Sequence, residues 1–255
     1  MLFSTSRLRL PHSRRLVCDL IHFARQMPLF PLERSCVLGE VEEVRRVGHP
    51  RVSWAVLFLK AYSILARDYP VFRQAYMRWP WPHLYQHPYS VGMLAVTRTD
   101  PDGERLYWGR FKRPEDCSLA RLQTALDRYK TGPTSSVFAR QVRFSRMPGP
   151  LRRLGWWLTL NVSGASRARR LGTFGLSTLA GNGAVNRYHP TCLTTSLTYG
   201  PLDPAGTALV TILYDHRVMD GSCVARALAD LESILQKAIS RELKEHYSGQ
   251  RRHSA

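Results

Sequence analysis

The segment that most constrains the fold is an apolar run that ends in a polar turn and continues as a helix. Residues 208–214 (ALVTILY) are apolar or β-branched, which is typical of a buried strand. Asp215–Gly221 (DHRVMDG) follows and ends in the Asp-Gly pair of a tight turn. Beyond the turn, apolar residues at helical spacing predict a long helix: Val224, Leu228, Leu231, Leu235 and Ala238. The chain must therefore pack a helix against a sheet.

Helices and strands alternate through the rest of the chain. Three helices are predicted: Arg14–Gln26, a largely buried one after the N-cap candidate Ser53, and one after Ser118. Strands are predicted in CVLGEVEEV (Val37, Gly39 and Val41 on one face), YSVGMLAVTR, RLYWGRF, TFGLS and CLTTSLTYG. A turn at Asp102-Gly103 joins YSVGMLAVTR to RLYWGRF, which predicts a hairpin. This order predicts an α/β or α+β domain with a mixed sheet flanked by helices.

Positive charge is the compositional anomaly of the 255 residues. Lys and Arg total 37 against 19 Asp and Glu, a net charge of +18, and no acidic residue occurs from Arg128 to Leu202. Such a chain attracts phosphates, nucleic acid or an anionic membrane surface. No nucleic-acid-binding motif accompanies the charge, so we do not expect a nucleic-acid partner. We expect a cytoplasmic protein, or one on the inner face of a membrane, because no secretory signal or spanning segment is evident.

The cysteine and histidine patterns do not favour a metal. The five cysteines are scattered with no Cys-x-x-Cys pair, which indicates buried thiols rather than a zinc site or disulfides. His83, His87 and His189 lack ligand spacing as well. We therefore expect no metal cofactor.

His216 is the candidate for chemistry, because it stands where a strand ends and a helix begins. A neutral histidine accepts a proton near neutral pH if its ring is held in place. Asp215, Arg217 and Asp220 are the local candidates for that support, and an ion pair of Asp220 with Arg14 or Arg15 would brace the turn. The alternative is a structural histidine beside a polar turn.

The residues 215–221 resemble the Asp-His-Arg-x-x-Asp-Gly signature of the dihydrolipoyl acyltransferases, the catalytic domains of 2-oxo acid dehydrogenase complexes. These share a fold and the His-x-x-x-Asp-Gly motif with chloramphenicol acetyltransferase. SRRLVCDLIHFARQMP, VSWAVLFLKAYSILARDYPVF and YSVGMLAV are also similar to family segments, so the resemblance covers most of the chain. It implies a chloramphenicol acetyltransferase-like fold, with residues 1–245 as a single catalytic domain and 246–255 as a basic C-terminal tail.

The resemblance also assigns roles. GTFGLSTLAG is similar to the family's Thr-Phe-Thr-Ile-Ser segment, whose oxyanion-binding hydroxyl falls on Ser177. His216 would then be the general base and Ser177 the oxyanion donor, with Asp220 and Gly221 completing the motif. In the family, histidine and hydroxyl come from different chains of a trimer, so a homotrimer with its site between subunits is implied. Ser177 precedes His216 by 216−177 = 39 residues, a spacing shorter than expected for the family.

The segment at about 146–170 has no counterpart in the family pattern and reads as an insertion. Leu151, Leu154, Trp157 and Leu158 share one helical face with arginines at both ends. This face suits either a membrane interface or an extra core or trimer contact. Together with the aromatic stretch 76–89, it gives four candidates for an acceptor pocket or membrane contact: Trp79, Trp81, Trp156 and Trp157.

The family's lipoyl and subunit-binding domains are not expected before the catalytic resemblance, which starts within the first fifteen residues. The sequence therefore favours a freestanding acyltransferase that uses acyl-coenzyme A, whose phosphates suit a basic surface. The acceptor would be a hydroxyl, amine or thiol, on a lipid if the interfacial interpretation holds. A lipoamide-dependent subunit of a dehydrogenase complex and a non-catalytic trimeric scaffold remain as alternatives.

Overall fold

A computed structural model of the protein describes residues 10–100 and 103–253. The strands are β1 (Leu29–Val37), β2 (Gln74–Met77), β3 (His83–Gln86), β4 (Val91–Asp100), β5 (Gly103–Lys112), β6 (Phe174–Leu176), β7 (Thr195–Tyr199) and β8 (Thr207–Asp215). The helices are α1 (His12–Ala24), α2 (Gly39–Val47), α3 (Trp54–Asp68), α4 (Leu119–Thr131), α5 (Thr134–Val137), α6 (Ala139–Arg146), α7 (Gly149–Asn161), α8 (Gly164–Leu171), α9 (Gly221–Ile234) and α10 (Ser240–His253). The predicted mixture of helices and strands is confirmed.

The main sheet has the order β1-β8-β7-β6-β4-β5, and β2 pairs with β3 in a separate hairpin. β6 runs parallel to both β4 and β7, whereas the other neighbouring pairs are antiparallel. The sheet is therefore mixed, as the sequence predicted. β8, the apolar run that ends before His216, lies between β1 and β7.

One face of the sheet carries the main core. Leu197 and Tyr199 of β7 and Ile212 of β8 are buried there with side chains from α3, α4 and α9. Tyr199 stacks on Phe58 of α3 at 4.2 Å between ring centroids. Two helix starts follow the predicted residues: Ser118 accepts a hydrogen bond from the Arg121 amide, whereas Ser53 stands at the N-cap of α3 without a side-chain cap bond.

The strand predicted in CVLGEVEEV was wrong in position. The strand, β1, lies earlier and pairs with β8 from Leu29 opposite Asp215 to Val37 opposite Thr207. Its side chains are mostly exposed and it includes Pro31, which an edge strand tolerates, so it shows little apolar pattern. The residues from Gly39 onward form α2, where Val41 is buried and Glu42 pairs with Arg45 one turn later.

The segment at about 146–170, which the sequence predicted to be an insertion, folds mainly as α7 and α8 and builds a second small core against α1. Trp156 of α7 stacks on Phe23 of α1 at 5.9 Å between ring centroids, next to Leu160 and Cys192. The buried Arg152 forms an ion pair with the buried Asp19 of α1. α7 is thus attached to α1 by an apolar and an ionic contact.

At the C-terminus, α9 continues through a π-helical turn, Leu235–Ile239, into α10. Residues 246–253, expected to be part of a basic tail, belong to α10. Tyr247 is buried there, and its hydroxyl accepts a hydrogen bond from the Val52 amide at 3.1 Å. The turn residue Asp102 lies outside the described residues, while Gly103 after it has a φ of 105°, which favours glycine.

Candidate active site

His216 is the first residue beyond β8, and backbone hydrogen bonds fix its position. The Asp215 amide donates to the Thr194 carbonyl at 2.8 Å, and the His216 amide donates to the Pro28 carbonyl at 3.4 Å. The Val218 amide then donates to the Asp215 carbonyl at 2.9 Å and closes the turn. His216 is therefore carried by the sheet and by the segment that joins α1 to β1.

The carboxylate of Asp215 holds this turn together from inside. It is fully buried and accepts three hydrogen bonds from Arg217: from the amide (3.0 Å), from Nε (2.9 Å) and from Nη2 (2.6 Å). The guanidinium of Arg217 also lies over the Tyr76 ring of β2, 4.4 Å from its centroid. The residues on both sides of His216 are thus tied to each other and to the hairpin, which restricts the backbone of the histidine.

The imidazole of His216 lies at the surface between aromatic neighbours. Its centroid is 5.4 Å from that of Phe30, edge to face, and 5.5 Å from that of Tyr214. The side chain is 45% exposed, and Nδ1 faces Asp220 Oδ1 at 3.6 Å. That distance is longer than a hydrogen bond, so Asp220 exerts an electrostatic influence without fixing the ring directly. A half-exposed histidine on a rigid turn can take up and release a proton.

Asp220 does not form the expected brace with α1. It stands at the N-cap of α9 without a side-chain cap bond, and its side chain is 82% exposed. In the described ranges its ion pair is with His216, and none joins it to Arg14 or Arg15. Those arginines lie at the start of α1, whereas the residues beyond its end approach His216, so about 14 Å of helix intervenes.

Gly221 is required by a close contact in the turn. A Cβ atom at this position would lie 3.0 Å from the Tyr214 hydroxyl and 3.7 Å from Leu32 Cδ1. A side chain here would therefore crowd the hydroxyl of Tyr214, whose ring lies beside that of His216. This contact gives a structural reason for the Asp-Gly ending of the motif.

Ser177 lies directly after β6, partly exposed, and its amide donates to the Leu197 carbonyl at 3.0 Å. In the register of the sheet, Leu176 pairs with Leu197 and Leu197 with Ile212, so Ser177 is level with Thr211. His216 lies 216−211 = 5 residues further along β8, about 17 Å, and two strands across, about 10 Å. The two residues are thus about 19 Å apart in one chain, beyond the combined reach of their side chains.

The aromatic candidates divide between the core and the surface. Trp156 is only 9% exposed and belongs to the core against α1, so it cannot line an acceptor pocket or a membrane contact. Trp79, Trp81 and Trp157 are exposed. The Trp79 amide donates to the carbonyl of Asn161, the last residue of α7, at 3.2 Å. The loop of the β2–β3 hairpin therefore contacts the end of α7.

Arg167 is a buried residue near the site that the sequence did not single out. Its guanidinium donates to the carbonyls of Tyr76 and Cys192, each at 2.8 Å. Burial lowers the pKa of Arg167 to about 10, with a smaller effect from the charge of Arg217. Arg167 joins α8 to the hairpin that contacts Arg217. In the sequence it is one of many arginines of this region, and its burial is not visible there.

His189 and Ser196 form another polar pair under the sheet. His189 Nε2 lies 2.8 Å from Ser196 Oγ, and Nδ1 is buried without a hydrogen-bond partner within the described residues. Burial lowers the pKa of His189 to about 4, which keeps its ring neutral. A Cβ atom at Gly175 would lie 2.5 Å from Ser196 Oγ, so the pair occupies the space beside that glycine. Ser196 is 1% exposed, which makes this pair structural.

The described residues contain no group of three or more His, Cys, Asp or Glu side chains arranged to hold a metal ion. In the same part of the chain, no helix has both the length and the apolar character needed to cross a bilayer.

Comparisons with known proteins identify the fold. No protein-family model matches the chain, and no curated protein sequence is significantly similar to it. Solved structures do match. A probable dihydrolipoamide acetyltransferase from Listeria monocytogenes superposes with a TM-score of 0.67 at 12% identity, over 91% of this chain and 95% of that one.

Two further structures show the same architecture. The dihydrolipoamide acetyltransferase of Azotobacter vinelandii gives a TM-score of 0.68 at 17% identity, over 94% of each chain. That structure comes from a study of the role of one serine, one histidine and one asparagine in its catalytic mechanism. A chloramphenicol acetyltransferase gives a TM-score of 0.51 at 12% identity, over 85% of this chain and 94% of that one. The chain therefore has the chloramphenicol acetyltransferase-like fold, as the resemblance implied.

Proposed function

We propose that this protein is an acyltransferase that moves an acyl group from a thioester, acyl-coenzyme A, to a hydroxyl, amine or thiol acceptor. His216 is the general base and Ser177 is the donor to the oxyanion. The observation that carries the proposal is the placement of His216: a half-exposed imidazole on a turn that the buried Asp215 and its ion pair with Arg217 hold in place. The fold supports it, since similar structures are named as acetyltransferases.

The chemistry proceeds through one tetrahedral intermediate. With Nδ1 turned toward Asp220, Nε2 removes the proton of the acceptor as its oxygen, nitrogen or sulfur attacks the thioester carbon. The Ser177 hydroxyl donates a hydrogen bond to the resulting oxyanion, an interaction worth about 3 kcal/mol of barrier. The C–S bond then breaks, and the imidazolium returns its proton to the thiolate of coenzyme A. Asp220 stabilises the imidazolium through its charge.

The site is built from two copies of the chain. The estimated 19 Å between Ser177 and His216 within one chain prevents them from acting on the same carbonyl. A neighbouring copy that brings its Ser177 to His216 completes the site, and a closed ring of three copies satisfies every site at once. We therefore propose a homotrimer with the active site between subunits.

The spacing of the site residues supports the same roles. In the Azotobacter vinelandii protein the catalytic asparagine follows the histidine by four residues. Asp220 follows His216 by the same interval. In this chain a carboxylate stands where that protein has a neutral amide.

Two alternatives concern the donor and the activity itself. The first alternative is a lipoyl donor supplied by another protein, and its motive is that two of the similar structures are named as dihydrolipoamide acetyltransferases. The chain would then be an acyltransferase subunit of a 2-oxo acid dehydrogenase complex. A trimeric scaffold without activity would keep the fold but would not depend on His216.

The first experiment follows thiol release from a panel of acyl-coenzyme A thioesters of different chain length, with alcohol, amine and thiol acceptors. We expect His216→Ala to lower the rate by about a hundredfold or more, because general-base catalysis is lost. His49→Ala is the matched control, since His49 is an exposed histidine just after α2, which follows the end of β1 that lies opposite Thr207, whereas His216 follows the end of β8 that lies opposite Leu29.

The donor is tested in parallel with an acyl-dihydrolipoamide. Activity with this thioester alone would replace coenzyme A by a lipoyl carrier. If neither the wild type nor His216→Ala transfers an acyl group from any thioester, and both have a normal oligomeric state, the proposed function is overturned. The non-catalytic scaffold is then the remaining alternative.

A further inference from the structure

The surface formed by α7 and the hairpin loop is apolar and exposed. Leu151, Leu154 and Leu158 of α7 and its C-cap residue Val162 follow one another at intervals of three and four residues. Trp157 lies beside them, so the five form one stripe. All five side chains are exposed: Val162 by 38%, Trp157 by 41%, and the three leucines by 44% to 53%. The opposite side of the helix carries the buried Arg152 and Trp156. α7 therefore has two apolar faces and only one of them is covered.

The hairpin loop extends the stripe. Trp79 and Trp81 are 54% and 69% exposed, and the hydrogen bond from the Trp79 amide to the Asn161 carbonyl places the loop at the C-terminal end of α7. Three exposed tryptophans thus border one surface, together with four exposed aliphatic side chains. We call these seven residues the α7 surface: Trp79, Trp81, Leu151, Leu154, Trp157, Leu158 and Val162.

Positive charge surrounds the α7 surface. Arg78 precedes Trp79, Arg146 ends α6 just before α7, and Arg153 lies one turn before Trp157. All three are exposed, and Arg78 and Arg146 form no ion pair with the described residues. The segments that build the surface contain no Asp or Glu, from Tyr69 to Thr99 and from Arg128 to Leu202. Exposed apolar side chains with a cationic border match an anionic lipid surface.

We propose that the α7 surface docks the protein onto an anionic membrane. The tryptophans and leucines insert at the level of the headgroups, and the arginines pair with lipid phosphates. The fixed attachment of α7 to α1 through Asp19–Arg152 and Phe23–Trp156 presents the surface as a rigid unit. The proposal does not depend on acyl transfer, because docking is measured as binding.

Docking would also bring the candidate active site to the bilayer. Tyr76 lies three residues before Trp79 on the same hairpin. The guanidinium of Arg217, the residue after His216, lies over the Tyr76 ring. If the proposed function holds, an acceptor on a membrane lipid lies within reach of the site.

The test is co-sedimentation of the full chain with vesicles of phosphatidylcholine alone or with about one third phosphatidylglycerol. We expect binding to the anionic vesicles that weakens at about 1 M salt, where the Debye length is about 3 Å. The variant Leu154→Gln/Leu158→Gln should bind at least about tenfold more weakly, because apolar area is lost. Arg78→Gln and Arg146→Gln should each weaken binding about fivefold. Val47→Gln is the control, since Val47 is exposed on α2.

Absence of wild-type binding, equal binding to neutral vesicles, or undiminished binding by the leucine variant would overturn the proposal. Sedimentation velocity tests the alternative occupant of the surface, a second copy of the chain. If the leucine variant lowers the oligomeric state while the wild type ignores vesicles, the surface is a contact between copies of the chain, and the membrane proposal is wrong.

Discussion

Ser177 and His216 lie on opposite ends of the same sheet, about 19 Å apart by the strand register. Each is carried by a strand end, and the central strand β7 separates them. No side-chain movement closes this distance without breaking the sheet. A mechanism that uses both residues therefore needs a second copy of the chain, and that requirement is the central claim of the proposed function.

The Asp215–Arg217 pair should be essential for the stability of the turn. Asp215→Asn leaves the Arg217 guanidinium with a neutral partner beside the buried Arg167. We expect the free energy of unfolding to fall by about 3 kcal/mol, as for the loss of one member of a buried pair. Denaturant unfolding measures the change. In the control Asp68→Asn, whose ion pair with Arg67 is exposed, we expect less than about 0.5 kcal/mol. Equal effects of the two substitutions would contradict the structural role of Asp215.

The neighbouring tryptophans of α7 should differ sharply in their effect on stability. Trp156→Ala removes a ring that stacks on Phe23 in the small core, and we expect a loss of about 3 kcal/mol. Trp157→Ala removes an exposed ring and should cost less than about 1 kcal/mol. Thermal unfolding of the two variants side by side tests the orientation of the helix. A larger effect at Trp157 would mean that the faces of α7 are reversed.

His189 should make the protein less stable in mild acid. Burial lowers the pKa of His189 to about 4 in the folded chain, against an ordinary value of about 6.5 in the unfolded chain. Between these values the unfolded state binds the extra proton, so stability is full above about pH 6.5 and falls until about pH 4. The total contribution is about 3 kcal/mol.

The variant His189→Gln isolates this effect, because it cannot titrate. We expect the difference in free energy of unfolding between wild type and variant to shrink as the pH falls from about 7 to about 4. His87, whose pKa burial also lowers, is present in both proteins and cancels in the difference. A difference that does not change with pH would show that His189 is not buried as described.

The sequence predicted the elements whose pattern comes from burial. The helix after Ser53 and the strand before Asp215 are apolar because they fill the core, so α3 and β8 appeared as expected. β1 was missed because it is an edge strand with exposed side chains, and its structure comes from pairing with β8. The short apolar pattern of Gly39 and Val41 fits a strand and a helix equally well, so the strand was predicted too far along the chain. The Glu42–Arg45 ion pair, with its spacing of three residues, is a helical contact.

The candidate site was predictable only as far as the motif reaches. Asp215, His216 and Arg217 are adjacent in the sequence, so their association is local. The role of Arg167 and the burial of Trp156 in the small core depend on contacts between segments that are distant in the sequence. The predicted ion pair of Asp220 with Arg14 or Arg15 was wrong for the same reason. These arginines lie at the start of α1, whereas the chain beyond the end of α1 approaches His216.

The most direct measurement mixes two inactive chains. Ser177→Ala and His216→Ala are expressed separately and together in equal amounts, and thioester-dependent acyl transfer is measured for each preparation. If the site joins His216 of one copy to Ser177 of the next, about a quarter of the sites in the mixed oligomer are intact. We predict that the mixture recovers activity in about this proportion, well above either variant alone. Activity in the mixture no higher than the average of the two variants, with mixed oligomers formed, would contradict the shared site.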